Sequence, residues 1–138
     1  MYSRTYAKAA LFDGKGRVLL LRRGATDPRR PGDQDFPGGG IEPGEDIGAG
    51  LIREIKEETG LDVTIEQLHL IYTATGSHDE LSACRLLYYA KLDTPQVVLS
   101  WEHDAYQWVD PQEVTELFKH PFYSIGFDYA LQHNLCKQ

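Results

Sequence analysis

The stretch GGIEPGEDIGAGLIREIKEETGL, Gly39 to Leu61, constrains this chain more than any other. Within it Arg53-Glu54-Ile55-Lys56-Glu57-Glu58 reads as a short helix that stops at Thr59-Gly60. At about 100° per residue, the carboxylates of Glu54, Glu57 and Glu58 fall within one arc of about 100°. Leu51, Ile52 and Ile55 occupy the adjoining arc, which is apolar and can pack against a core. Lys56 points away from the acids, and Arg53 lies one turn before Glu57. Like charges spaced i, i+4, as Glu54 and Glu58 are, destabilise a helix by about 0.2–0.5 kcal/mol. A helix that accepts this cost beside an apolar face is collecting oxygen ligands for a hard divalent cation. Mg²⁺ suits such a set, because it favours carboxylate oxygen and keeps waters that a phosphate can displace.

An isolated acidic run is ordinarily a solvated helix face. Here its surroundings argue otherwise. A glycine-rich turn, Phe36-Pro37-Gly38-Gly39-Gly40, comes just before, Glu45 stands between turn and helix, and Gly60 supplies a stop.

Gly39, then Glu45, Arg53-Glu54-Ile55, Glu57-Glu58 and Gly60-Leu61 keep the spacing of the Nudix box at every constrained position. The chain thus resembles the Nudix hydrolases, and its flanks resemble the small MutT-type members. The resemblance implies an α/β (α+β) fold, a mixed sheet sandwiched between helices, in a single domain over residues 1–138. It implies Mg²⁺, or Mn²⁺, held by Glu54, Glu57, Glu58 and the carbonyl of Gly38, with Glu102 on a later loop completing the site. Either Glu54 or Glu102 would be the general base, and Glu45 would pair with Arg53 to orient the acidic face. The implied reaction is hydrolysis of a nucleoside diphosphate linked to another group. No SQPWPFP-like array follows the box, no proline lies about fifteen residues beyond it, and Tyr72 comes early for a dinucleoside-polyphosphate pattern. By elimination the expected substrate is a nucleoside triphosphate, cleaved to NMP and pyrophosphate. ADP-ribose, sugar-nucleotide and dinucleotide hydrolysis are the alternatives, and a non-catalytic nucleotide-sensing module would have lost box acids that this chain keeps. Homodimers are common in the family.

With 138 residues, the chain is long enough to bury one sizeable core. Its net charge of −7 argues against gripping duplex nucleic acid or an anionic membrane. It leaves room for a small phosphorylated ligand, since a metal and local arginines can invert the field. Cys84 and Cys136 form no CxxC pair and read as free thiols in a reducing cytosol. No apolar run approaches the ~18 residues of a membrane span, which points to a cytoplasmic protein.

In chain order, Ser3 to Phe12 reads as a strand, Asp13 to Gly16 as a turn, and Arg17 to Arg22 as a central strand, apolar on both faces. Arg22 and Arg23, at its end, are placed where the family meets phosphate or ribose. Gly24 to Asp35 reads as loop with Arg29 and Arg30 solvated. Many relatives carry a tryptophan before FPGG. This chain has Asp33-Gln34-Asp35 instead, which leaves Phe36 as the nearest ring for a base, or as a ring buried under the turn. Gly48 and Gly50 each cost a helix about 1 kcal/mol against Ala, so either the first turn is loose or something packs closely there. Leu61 to Thr75 reads as one or two strands, Gly76 to Glu80 as loop, and Ala83 to Leu92 as a strand with Arg85 and Lys91 as its interior charges. Val97 to Leu99 reads as an edge strand. His103 reads as a hydrogen-bonder fixing its loop, and Tyr106, Trp108 and Val109 as core-facing. Asp110-Pro111 starts a helix. A last helix, Tyr123 to Leu135, puts Phe127, Ala130 and Leu131 on one face, with Phe127 and Asp128 in reach of a nucleotide base.

Overall fold

The computed structural model describes residues 2–78, 81–93, 95–118 and 120–136. The N-terminal strand β1 (Tyr2–Phe12) pairs along its whole length, in parallel, with β6 (Leu81–Lys91). β5 (His69–His78) adds to β6 antiparallel. On its other edge β1 pairs with β2 (Val18–Arg23) only at Phe12↔Val18, and the two strands then part. Residues 34–41 fill the gap, pairing with β2 through β3 (Gln34–Asp35) and with β1 through β4 (Gly38–Ile41). β7 (His103–Val109) closes the far edge of β2. This fork leaves bare backbone beside the helix α1 (Ile47–Thr59) and opens the cleft described below.

The sheet is apolar on both faces, and its strands alternate between two cores. Leu19 and Leu21 of β2 pack with Ala7, Ala9 and Leu11 of β1 against Leu51 and Ile55 of α1. Val18 and Leu20 face the opposite way, toward α2 (Val114–Leu117) and α3 (Tyr123–Gln132), where Phe36, Phe118 and Phe127 meet. A mixed sheet between helices is thus the α+β arrangement expected from the sequence.

Helix α1 begins at Asp46, whose carboxylate accepts the Ala49 N–H at 3.0 Å, and ends at left-handed Gly60. Its two inner glycines mark close packing. A Cβ on Gly48 would strike the Ile65 side chain, and one on Gly50 would lie 2.8 Å from Glu45 Oε1 and 2.9 Å from Ile41 Cδ1.

Several sequence expectations need correction. Gly38–Ile41 is a strand rather than a turn. Residues 61–64 are irregular and lead into a 3₁₀ turn, Ile65–Gln67, so of the one or two strands expected over Leu61 to Thr75 there is one, and it starts at His69. β5 runs on through Gly76 to His78, and the rest of the expected loop lies outside the described residues. Val97–Leu99 forms no strand. Its N–H groups go to the end of α1 instead: Val98 donates to Thr59 O at 2.8 Å and Ser100 to Glu58 O at 3.2 Å. Those are carbonyls a helix terminus leaves unpaired. Tyr106 is 45% exposed, because β7 lies at the sheet edge, whereas Trp108 and Val109 do face the cores. The last helix stops at Gln132. Among the described residues no helix is long and apolar enough to cross a membrane, and both cysteines are free.

Phe36 and Phe127 do not contact a base. Both are fully buried, with ring centroids 5.5 Å apart and Phe36 edge-on to Phe118 at 4.8 Å. A Phe36→Ala substitution should therefore remove about 3–5 kcal/mol of stability in urea denaturation. A loss below about 1 kcal/mol would show that the ring is not part of the core.

Candidate functional site

Gly38 is where helix, strand and cleft meet. Its φ of 132° is open only to glycine, and a Cβ there would overlap the Ala7 carbonyl oxygen and the Lys8 Cα. Its N–H donates to Glu58 Oε1 at 2.9 Å, and its carbonyl accepts from Lys8 Nζ at 3.4 Å. The peptide is held from both sides. Beside it, Gly39 lets the Glu54 carboxylate lie against β4, since a Cβ would come within 3.2 Å of Glu54 Cδ.

A cleft of about 420 Å³ opens over this point. One wall carries Glu54, Glu58 and Glu102. Burial, reinforced by the charges of Glu54 and Asp35, pushes the Glu58 carboxyl up to about 8 against the opposing effects of Lys8 and the Gly38 N–H. Burial also raises Glu54, helped by Glu57 and Glu102 and opposed by Arg53. Two carboxylates that resist ionisation on one wall are short of positive charge. All the donors there are oxygen, counting the Gly38 carbonyl, which suits a hard cation. Among the described residues no three acidic, imidazole or thiol side chains are close enough to close on an ion as they stand.

Arg53 organises the acids from outside the cleft. It grips Glu45 with two bonds, Nε to Oε2 at 2.7 Å and Nη2 to Oε1 at 2.9 Å. Its Nη1 reaches Glu54 Oε1 and Glu57 Oε1, both at 3.3 Å. Arg53, with the Glu42 N–H, holds the Glu45 carboxyl down at about 2. Glu57 is 55% exposed at the side chain and turned to Arg53, and it does not line the cleft.

The rest of the lining is largely basic. Lys8 Nζ bonds Asp35 Oδ2 at 3.0 Å and the Phe36 carbonyl at 3.3 Å. Arg23 Nη1 reaches the same Asp35 oxygen at 2.6 Å, and Arg30 lies 3.6 Å from it. Asp35 is fully buried; burial would raise its carboxyl, but Lys8, Arg23 and Arg30 hold it below the usual range. Arg29, Arg85, Tyr6, His120 and Tyr123 complete this end. His103 separates the halves, its pKa lowered by burial. It does not fix its loop as expected through the ring: Nδ1 is buried without a partner, as are Asp35 Oδ1 and the Tyr123 hydroxyl.

Of the residues singled out from sequence, Gly38, Glu54, Glu58, Glu102 and Arg23 border the cleft, with Glu45 and Arg53 just behind. Arg22 does not border it, being exposed and paired with Asp104 at 2.7 Å. Asp128 takes the Gln132 amide at 2.9 Å on α3, also away from the cleft wall. Arg29 and Arg30 are cleft residues rather than merely solvated ones. Sequence reasoning missed Lys8 and Asp35, although one signal was present. Lys8 is the sole charge within Tyr6-Ala7-Lys8-Ala9-Ala10-Leu11-Phe12, and a lysine inside a buried strand requires an acidic partner.

Comparison with known proteins agrees with this geometry. The NUDIX domain family model matches residues 3–127. The chain is 30% identical over 111 residues to the CTP pyrophosphohydrolase of Escherichia coli, spanning 78% of this chain and 77% of that protein. It is 27% identical over 113 residues to the nucleoside triphosphatase NudI of Salmonella typhimurium, spanning 75% and 80%. The MutT protein of Methanosarcina mazei superposes with a TM-score of 0.83 at 25% identity, covering 96% of both chains. A family match over nearly the whole length makes this protein a member of the NUDIX family and a Nudix hydrolase.

Proposed function

We propose that the chain hydrolyses nucleoside triphosphates to NMP and pyrophosphate, using a divalent cation, Mg²⁺ first and Mn²⁺ as the substitute. The observation that carries this reading is the juxtaposition of Glu54, Glu58, Glu102 and the Gly38 backbone in one cleft that is otherwise lined largely by cations. Nudix hydrolases generally use divalent metals, and two relatives of this chain are named for triphosphate substrates. Glu54, Glu58 and the Gly38 carbonyl would hold the cation, with Glu102 beside them and Glu57 able to join by leaving Arg53. When bound, such an ion neutralises phosphate charge and lowers the pKa of water.

The chain's own groups supply the rest. Water attacks a phosphorus of the anhydride, the bridging P–O bond breaks toward pyrophosphate, and a carboxylate takes the proton. Glu54 or Glu102 fills that last role, and burial raises the Glu54 carboxyl. Arg53 is a positioning residue: it fixes Glu54 through the bond at 3.3 Å while Glu45 anchors its other side. Arg23, Lys8 and Arg30 face the anionic substrate from across the cleft.

A panel of nucleotides incubated with Mg²⁺, with products separated by chromatography, tests the reading. Triphosphates should yield NMP and pyrophosphate; selective cleavage of ADP-ribose or dinucleotides would overturn the substrate choice. Glu54→Gln should lower kcat by about 10²–10⁴ while the thermal midpoint stays put. Metal removal has its own signature. Glu58 rises from its ordinary 4.5 to about 8 on folding, so the metal-free fold loses stability as pH climbs between those values. In EDTA the wild-type midpoint should fall from pH 5 to pH 9 more steeply than that of Glu58→Gln, and added Mg²⁺ should raise it more at pH 9. Parallel curves for the two proteins would remove Glu58 from the metal site.

A further inference from the structure

We propose that the arginine-lined end of the cleft is a second anion site, which takes a terminal phosphate of the substrate through Arg29 and Arg85. This deepens the triphosphate reading and rests on it for the identity of the substrate, but not for the existence of the site.

The chain carries a net charge of −7, yet Lys8, Arg23, Arg29, Arg30 and Arg85 all line this one cleft, and Arg30, Arg85 and Lys8 are close enough to His120 to act on its charge. Three of them are accounted for by the fold. Lys8, Arg23 and Arg30 surround the buried Asp35, and Arg23 also holds Asp27 at 2.9 Å. Among the described residues, Arg29 and Arg85 have no carboxylate within ion-pair distance. Arg85 lies over the Tyr6 ring at 5.2 Å, an arrangement that supports the flat guanidinium and leaves its N–H groups free. These two arginines share the cleft with three further cations, and Asp35 is the carboxylate that those three already surround.

A third donor points to the same ligand. His120 Nδ1 accepts the Phe122 N–H at 3.1 Å and the Tyr123 N–H at 3.4 Å, so the ring proton sits on Nε2. Burial, with Arg30, Arg85 and Lys8 and against the opposing charge of Asp35, holds this imidazole down at about 4, so it is neutral. Guanidinium forks and a neutral N–H match the three outer oxygens of a terminal phosphate.

The two halves lie within reach of one short chain of phosphates. Lys8 Nζ touches the Gly38 carbonyl at 3.4 Å on the acidic side and stands 5.8 Å from the Tyr123 ring on the basic side. The His120 ring is 4.8 Å beyond that. The phosphate could be the last one of a nucleoside triphosphate, or a phosphomonoester on a sugar joined to the cleaved diphosphate.

Calorimetric titration of the full chain in magnesium buffer with inorganic tripolyphosphate and with pyrophosphate tests the site. Wild type should bind tripolyphosphate more tightly. Arg29→Ala and Arg85→Gln should each weaken tripolyphosphate by roughly tenfold and leave pyrophosphate within about twofold. Equal losses for both anions, or no loss for either, would overturn the proposal. Arg29 is exposed, so its variant keeps the test valid should Arg85→Gln fail to fold. Turnover then identifies the source. If Arg85→Gln lowers kcat/KM for CTP but not CDP, the phosphate is the terminal one of a triphosphate. If the loss falls instead on nucleoside diphosphates carrying a phosphorylated sugar, it is the phosphomonoester. A chain that cleaves none of these refutes the triphosphate reading, while the titrations still decide the anion site.

Discussion

The burial of Glu58 is the constraint from which the rest of the site follows. At 5% exposure its carboxyl has lost most of its water, and the Gly38 N–H is the bond the fold gives it in exchange. That bond requires β4 to run close under the helix, and the close approach to Ala7 and Lys8 leaves no space for a side chain at residue 38. Neither element can slide without leaving a buried carboxyl unpaired. The same helix end also governs Glu102. Its free carbonyls at Glu58 and Thr59 take the N–H groups of Ser100 and Val98, which suspends the segment ahead of β7 and brings Glu102 to the cleft. Helix length, set by Asp46 and Gly60, therefore determines where an acid more than forty residues later comes to lie.

A single guanidinium then distributes charge among the acids that Glu58 does not control. Arg53 gives its two strongest bonds to Glu45, whose own oxygen is fixed by the Glu42 N–H at 3.0 Å. What is left of Arg53 is shared between Glu54, on the cleft, and Glu57, outside it. Because the Glu45 anchor is rigid, Glu54 is oriented by a bond that does not depend on a ligand. Glu57 is held by the same guanidinium nitrogen at the same 3.3 Å but at greater exposure, so it is the acid of the box most easily moved.

The parts legible in the sequence were those in which local pattern and chemistry agree. The acidic stripe, its apolar neighbour and the Gly60 stop lie within one helix, so local pattern locates them. Val18 to Leu21 declared a central strand, because four apolar residues in a row need cover on both faces. Where tertiary geometry decides, the reading failed. Val97–Leu99 has a strand's composition, but the unpaired carbonyls at the end of α1 claimed its N–H groups first. For Phe36 the sequence left open a ring for a base or a ring buried under the turn, and the packing of α2 and α3 decides for burial. For Gly48 and Gly50 it left open a loose first turn or close packing, and the approach of Ile65, Glu45 and Ile41 decides for contact.

The largest omission, the Lys8–Asp35 pair, spans 27 residues, and composition could not reveal it either. A net charge of −7 describes the surface averaged over the whole chain. The cleft responds to charges within a few ångströms, and a buried pair is screened far less than a surface one. Asp35 accepts three cations at one oxygen, so none of them can be removed without stranding charge in the sheet. Lys8 enters from β1, Arg23 from the end of β2 and Arg30 from the loop that β3 closes, so the cluster also locks the fork where the sheet divides. The opening that admits a ligand and the charges that would meet it thus have one origin: the parting of β1 from β2, which leaves Asp35 inside and its cations around it.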